Sequence, residues 1–245
     1  MKKILILKTG TTFDSISHIF GDFEDFIISS AGLIKEETLI ISVYKESLPS
    51  VKKIIEDVSS VIITGSHSMV TDKEEWIEHL CCWIREFAAE GLPVLGICYG
   101  HQLLAMAWGG LVDYHPCGIE MGTVGINLTD DGRKDRLLGV CPEYFTAHVS
   151  HAQSVIKLPA RARLLAFNNF EPHHSFRIDN NVWGVQFHPE FNELIMKGYI
   201  RERRGILEVE GYDIESIFAS VTKHGFGMKL LRRFVAITGG YSYKY

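Results

Sequence analysis

An α/β fold with a mostly parallel central sheet flanked by helices is what three features of this 245-residue chain predict. Short apolar stretches alternate with amphipathic ones through the first hundred residues. Two of those stretches run straight into glycine-containing turns, Gly65-Ser66 and Cys98-Tyr99. After residue 120 the texture changes to closely spaced short strands, and from Glu193 onward to helix. Strand and helix alternating at this pitch mark βαβ units and a parallel sheet. Ligand sites in such sheets lie beyond the carboxyl ends of the strands, where both turns fall.

The elements follow in order. "KKILILK" (2–8) reads as the opening buried strand, "GDFEDFIISSAGL" (21–33) as a helix ending at Gly32, and "TLIISVY" (38–44) as a β-branched strand. "SSVIITGS" (59–66) is a further strand entering its turn. In "DKEEWIEHLCCWIREFAAEG", Trp76, Leu80, Trp83, Ile84 and Phe87 recur at helical spacing, with Gly91 as the stop. "PVLGI" (93–97) is the next strand. Beyond it, "EMGTVGINLT", "EYFTAHV", "RLLAFNN", "HHSFRID" and "VWGVQF" read as antiparallel strands extending the sheet. In the tail, Ile214, Ile217, Phe218 and Val221 share one helical face, and Leu230, Leu231 and Phe234 another. These helices have apolar faces to pack on the core or on a second copy of the chain, which would make a homodimer.

Composition narrows the function. Hydrophobic residues make up 46% and charged residues 22%, ordinary for a globular protein. A formal charge of −5 offers no basic face for nucleic acid. The one basic knot, Arg201, Arg203 and Arg204, has Glu202, Glu208 and Glu210 beside it and reads as a solvated helix end. No Asp, Glu, Lys or Arg occurs from Gly91 to Val112, but Pro93, several glycines, His101 and Gln102 fit a buried strand, turn and core helix better than a membrane span. The start "MKKILILKTG" has no small-residue cleavage site. Five cysteines, Cys81, Cys82, Cys98, Cys117 and Cys141, lack framework spacing. Both observations suit reduced thiols in the cytoplasm.

The chemistry concentrates at "GICYG" (96–100), which has the G-x-nucleophile-x-G form of a strand-to-helix elbow. The glycines remove side chains that would collide at such a turn. The helix N-terminus favours thiolate over thiol, and the next N–H points at a developing oxyanion. Cys98 therefore stands out from Cys81 and Cys82, which lie mid-helix as packing residues. A thiolate needs a base and an orienter, and "WGVQFHPEF" (183–191) offers His188 and, two residues on, Glu190. An α/β-hydrolase would place its acid before the histidine, and a zinc deaminase needs a Pro-Cys-x-x-Cys that this chain lacks.

On these motifs the chain resembles the class I glutamine amidotransferases, in particular the free-standing proteins similar to the amidotransferase domain of GMP synthase. "GICYGHQLLA", "GVQFHPEF" and "ITGSHSMV" carry the resemblance, and the opening "ILILKTGTTF…GDFEDFI" and the tail "EGYDIESI" extend it over essentially the whole chain. It implies a flavodoxin-like single domain over 1–245, with a catalytic core at 1–192 and a helical C-terminal extension at 193–245. It also implies cleavage of a glutamine side-chain amide. Cys98 forms a γ-glutamyl thioester, His188 acts as acid and base, and Glu190 orients the ring. The implied oxyanion donors are the N–H groups of Ser66 and Tyr99, with Gly65 giving the turn its freedom. Implied substrate contacts are Gln102, Ser150 and His151.

Departures from the family pattern matter. Gly65-Ser66-His67 replaces the frequent Gly-Gly-Pro or Gly-Ser-Pro, which leaves the turn without its proline; His67 is expected on the surface. In "HVSHAQSV" the usual aspartate is Gln153, so no role is carried onto it, and His148 has none assigned. His173-His174 reads as a hairpin pair, not a metal site, and no metal or cofactor is expected. With no phosphate loop, ATP use is not expected. Glutamine or another γ-glutamyl compound is the expected substrate, with ammonia passing to a separate synthetase or acceptor-modifying subunit. A γ-glutamyl peptidase would use the same triad. A non-catalytic binding relative would have lost a triad member, and all three are present.

Overall fold

The structure, a computed structural model, describes residues 2–72 and 74–238. Lys73 and the end of the tail beyond 238 lie outside the described residues. Eleven strands are formed there: β1 (Lys3–Lys8), β2 (Thr38–Ser42), β3 (Val58–Ile63), β4 (Val94–Ile97), β5 (Leu111–Tyr114), β6 (Glu120–Leu128), β7 (Tyr144–His151), β8 (Gln153–Lys157), β9 (Ala162–Phe167), β10 (Ser175–Ile178) and β11 (Val182–Val185). The helices are α1 (Asp14–Phe20), α2 (Phe23–Ala31), α3 (Val51–Ile54), α4 (Glu75–Ala89), α5 (Tyr99–Ala107), α6 (Asp130–Arg133), α7 (Glu193–Glu202), α8 (Arg204–Val209), α9 (Ile214–Ser220) and α10 (Phe226–Ile237).

Nine strands form one sheet in the order β2-β1-β3-β4-β11-β10-β9-β6-β7. The first five are mutually parallel and the rest antiparallel; β11, expected among the antiparallel strands, instead pairs parallel with β4, because the tight turn after β10 reverses the chain into the direction of the parallel half. Parallel strands are covered on both faces, and β1 shows how. Its Leu5 and Leu7 pack with Ile84, Phe87 and Leu103 of α4 and α5, while Ile4 and Ile6 pack with Ile27 of α2 and Leu230 and Phe234 of α10. The uncharged run is thus β4, a turn and α5. Among the described residues no helix is long and apolar enough to cross a membrane.

Local chemistry sets the ends of these elements. Asp22 caps α2 in a capping box with Asp25, and Gly32 ends it in the left-handed conformation at φ 72°. Three further differences from the sequence reading appear. The antiparallel pair β5–β8 forms a separate two-stranded sheet that alternation alone does not reveal. His173 and His174 occupy the turn before β10, not the strand itself. Cys81 is buried as expected, but Cys82 is exposed, because it lies two positions from Ile84 and so nearly opposite it around α4.

The tail closes over the early helices. Ile195, Met196 and Tyr199 of α7 share a cluster with Ile16, Phe23, Phe26 and Phe191. At the start of α10 a Cβ on Gly227 would collide with the Pro189 backbone. That helix therefore braces the turn carrying His188 and Glu190.

Candidate active site

Cys98 sits between β4 and α5 with φ 49° and ψ −99°. This left-handed φ costs a non-glycine residue about 1–3 kcal/mol. The elbow persists because its surroundings over-determine it. The Cys98 N–H donates to the Val185 carbonyl at 2.9 Å, and the Gln102 N–H to the Cys98 carbonyl at 3.1 Å. A Cβ on Gly96 would collide with the Gly100 carbonyl, and one on Gly100 would lie 2.7 Å from the Ile63 carbonyl oxygen. Both glycines are needed for α5 to leave the sheet this tightly.

The distance of ninety positions between Cys98 and His188 disappears in the sheet. β4 and β11 are parallel neighbours with Ile97 opposite Val185, so the residues just beyond each strand emerge side by side. The His188 N–H donates to the His148 carbonyl at 2.8 Å, and the Phe191 ring stacks on the imidazole with centroids 4.1 Å apart. His188 Nδ1 lies 2.7 Å from Glu190 Oε1, and both residues are buried. The backbone of Glu190 is held in turn by Ser30 Oγ at 3.0 Å.

The electrostatics of the cysteines diverge. Burial pushes the thiol of Cys81 up to about 11 and that of Cys141 to about 12. Burial acts in the same sense on Cys98, but the charge of His188 and its hydrogen bond to the sulfur outweigh it. His151 helps and Glu190 opposes, leaving the Cys98 thiol below its ordinary value. His188 is raised to about 10: burial disfavours its cation, but Glu190 and the Cys98 sulfur hold the proton. These directions favour a thiolate–imidazolium pair. Cys98 keeps 7% of its surface exposed, at a cleft also lined by Ser66, Tyr99, Gln102, Ser150 and His151.

The turn after β3 is fixed without a proline. Thr9 and Thr64 hydroxyls donate to the Gly65 carbonyl at 3.0 and 2.9 Å, and Ser66 Oγ accepts from the Ser68 N–H at 3.1 Å. A Cβ on Gly65 would lie 3.2 Å from His188 Cε1, so glycine lets the ring approach. The N–H groups of Ser66 and Tyr99 have no hydrogen-bond partner among the described residues. Both are free for a ligand.

The remaining predicted contacts divide. Ser150 lines the cleft, and its carbonyl lies 3.9 Å from Cys98 Sγ. His151 also lines it, but its ring is engaged, with Nε2 2.9 Å from Glu120 Oε2 and Nδ1 3.0 Å from the Gln153 carbonyl. Only its backbone remains for a substrate. Gln102 Nε2 donates to the Gln153 carbonyl at 2.7 Å and to Gln186 Oε1 at 3.0 Å. Gln186 Nε2 then reaches Cys98 Sγ at 3.5 Å. This amide chain joins α5, β8 and β11 beneath the nucleophile, and motif reading missed its middle member.

Two expectations are corrected. His67 is half-buried, not a surface residue: it packs on Phe13 at 4.2 Å and lines the cleft. Burial first, then the charges of Arg203 and His188, lower it to about 4, so it is neutral at pH 7. Arg203 is not part of a solvated knot. It ends α7, is half-buried and lines the same cleft, because α7 folds back onto α1 and α2. Its sequence neighbours concealed this.

Beneath the cleft, Glu120 accepts from His151 and lies 3.3 Å from His174 Nε2. Burial opposes the carboxylate, but the two histidines hold it well below its ordinary value of 4.5. Against burial, Glu120 raises His151 above 6.5. The depressed acid contributes stability that is present above pH 4.5 and lost as pH falls through its folded value. The raised histidine contributes stability that is present below pH 6.5 and lost as pH rises through its folded value. Glu120→Gln is therefore expected to cost about 3 kcal/mol near pH 5.5, and less as pH rises through the folded value of His151, in denaturant melts across a pH series. A penalty independent of pH would contradict the charged pair.

The chain belongs to the class I glutamine amidotransferase family, whose model, glutamine amidotransferase class-I, matches residues 24–202. It is 28% identical over 204 residues to gamma-glutamyl peptidase 4 of Arabidopsis thaliana, covering 80% of this chain and 78% of that protein. It is 31% identical over 171 residues to the glutamine-hydrolyzing GMP synthase of Aeropyrum pernix, covering 68% of this chain and 32% of that protein. The crystal structure of a glutamine amidotransferase from Thermotoga maritima superposes with a TM-score of 0.74 at 20% identity, covering 97% of this chain and 98% of that one. That last likeness is one of fold.

Proposed function

We propose that this protein cleaves the γ-amide of glutamine or a γ-glutamyl compound through a covalent thioester on Cys98. The thiolate adds to the γ-glutamyl carbonyl carbon, and the oxyanion forms between the N–H groups of Ser66 and Tyr99. His188 gives its proton to the amide nitrogen, the C–N bond breaks, and ammonia or an amine departs. His188 then takes a proton from water, which attacks the thioester; the C–S bond breaks, glutamate leaves and the thiolate is restored. Glu190 fixes the imidazole tautomer and stabilises its cation. Gln102 and the Ser150–His151 backbone hold the glutamyl group.

The observation that carries this reading is the elbow cysteine set beside β11, whose following turn presents a buried histidine that Glu190 holds at 2.7 Å, at a cleft with two free N–H donors. As an amidotransferase, the protein passes ammonia to an acceptor held by a separate synthetase or acceptor-modifying subunit. The peptidase reading has its own support: similarity to gamma-glutamyl peptidase 4 spans 78% of that protein, against 32% of the GMP synthase. Incubation with glutamine and a panel of γ-glutamyl dipeptides tests both. Glutamate release from at least one is expected; release from none, with Cys98 unlabelled by a glutamine-like electrophile, contradicts the reading.

A further inference from the structure

We propose that Arg203 binds a carboxylate on the leaving-group side of the Cys98 cleft, so that γ-glutamyl amino acids and peptides with an anionic leaving amine are preferred over glutamine. The inference rests on the thioester chemistry proposed above and names its substrate class.

Three observations carry it. Arg203 is half-buried at the cleft mouth, and among the described residues its guanidinium has no ion pair or hydrogen bond. Its neighbours are engaged elsewhere: Arg204 with Glu208 at 2.8 Å, Arg201 over the Phe218 ring at 5.2 Å, and Glu202 with Ser15. A partly desolvated guanidinium with no anion of its own is a receptor for one, and its planar fork matches a carboxylate.

The second observation is which side of the cleft it occupies. The turn of Gly65 and His67 lies against His188, whose Cε1 would be 3.2 Å from a Cβ on Gly65, and Tyr199, one helical turn before Arg203, packs on the His67 ring at 5.8 Å. His188 is the group that protonates the departing nitrogen, so Arg203 stands on the wall facing the leaving amine. Gln102 and His151, joined through the Gln153 carbonyl, form the other wall. The third observation is that His67, being neutral, brings no charge there. Arg203 is left as the cation available to a ligand on that wall. In a γ-glutamyl amino acid the free carboxylate is two bonds from the scissile nitrogen, whereas the ammonia released from glutamine carries nothing for Arg203 to bind.

The test compares kcat/KM for γ-glutamylglycine, γ-glutamylglycinamide and glutamine in wild type, Arg203→Gln and Arg203→Lys, each checked for folding by circular dichroism. Wild type is expected to favour the acid over its neutral amide by about 10- to 100-fold. Arg203→Gln should bring that ratio close to one, and Arg203→Lys should leave it intermediate. An unchanged ratio in Arg203→Gln would overturn the proposal. So would an equal loss on all three substrates, which would assign Arg203 to the glutamyl α-carboxylate. If wild type turns over none of them and Cys98 is not labelled by a glutamine-like electrophile, the thioester reading fails by itself. Calorimetric binding of γ-glutamylglycine and its amide to Cys98→Ala, with and without Arg203→Gln, then decides the role of Arg203: loss of a preference for the acid supports it, and equal binding of both ligands refutes it.

Discussion

Cys98→Ala is expected to fold normally and to lose roughly 10⁴-fold or more of kcat on every γ-glutamyl substrate. The substitution removes only the sulfur, and the backbone bonds that hold the elbow, to Val185 and Gln102, do not involve it. The thioester route is then closed, and what remains is activation by the oxyanion donors and by binding. Comparison with Cys98→Gly separates chemistry from strain. Both variants lack the nucleophile, but glycine accepts φ 49° without the Cβ clash. The glycine variant should therefore be more stable than the alanine variant by about 1 kcal/mol in thermal or urea melts. If the alanine variant were the more stable, the elbow would not be a site of stored strain. Substantial turnover by either would remove Cys98 from the mechanism.

Gly96→Ala should show the largest effect on stability, a loss of about 3 kcal/mol or more. The added methyl meets the Gly100 backbone and Leu104 Cδ1 at 2.7 Å, in a fully buried strand between β3 and β11. The Leu104 side chain can turn aside, but the Gly100 backbone cannot yield without moving α5 off the sheet. For a chain of this size the change corresponds to a fall in Tm of roughly 6–12 °C. Activity should fall with it, since the same shift would displace Cys98 from His188. A melt unchanged within roughly 2 °C would mean that α5 sits less tightly on β4 than the structure has it.

These two glycines also show why part of the site could be read from the chain alone. Gly96, Cys98 and Gly100, like His188 and Glu190, lie two positions apart, and local geometry turns such spacing directly into a turn or a side-chain contact. Parallel pairing of β4 with β11 then brings the two motifs together, a pairing that the sequence did not disclose, since "VWGVQF" reads there as one of the antiparallel strands. What escaped detection is non-local. His67 and Arg203 line one cleft only because α7 folds over α1 and α2, and nothing in "GSHS" or "RERRG" specifies that meeting. Arg203 in particular was masked by charged neighbours that do face solvent or pair with one another. Glu120 reads as one acid in a strand; its burial between His151 and His174 depends on antiparallel register across β6 and β7 and on the turn before β10. Cys82 was misread for a simpler reason: it lies nearly opposite Ile84 around α4, outside the buried arc that takes in Leu80, Cys81 and Ile84.

The relation between the tail and the site has a physical basis of the same kind. Residues after Glu193 form no part of the sheet, yet α10 backs Pro189 at Gly227, and Tyr199 of α7 bonds Thr12 at 2.6 Å beside His67. The helical extension thus shapes both the turn that presents His188 and the mouth of the cleft.

The most direct measurement is intact-protein and peptide mass spectrometry after rapid acid quench of the protein mixed with a γ-glutamyl substrate. The account predicts a mass increase equal to one γ-glutamyl group, confined to the peptide containing Cys98, released by hydroxylamine and absent from Cys98→Ala. Turnover that proceeds with no such adduct at any quench time, or an adduct on Cys81, Cys82, Cys117 or Cys141 in place of Cys98, would contradict it.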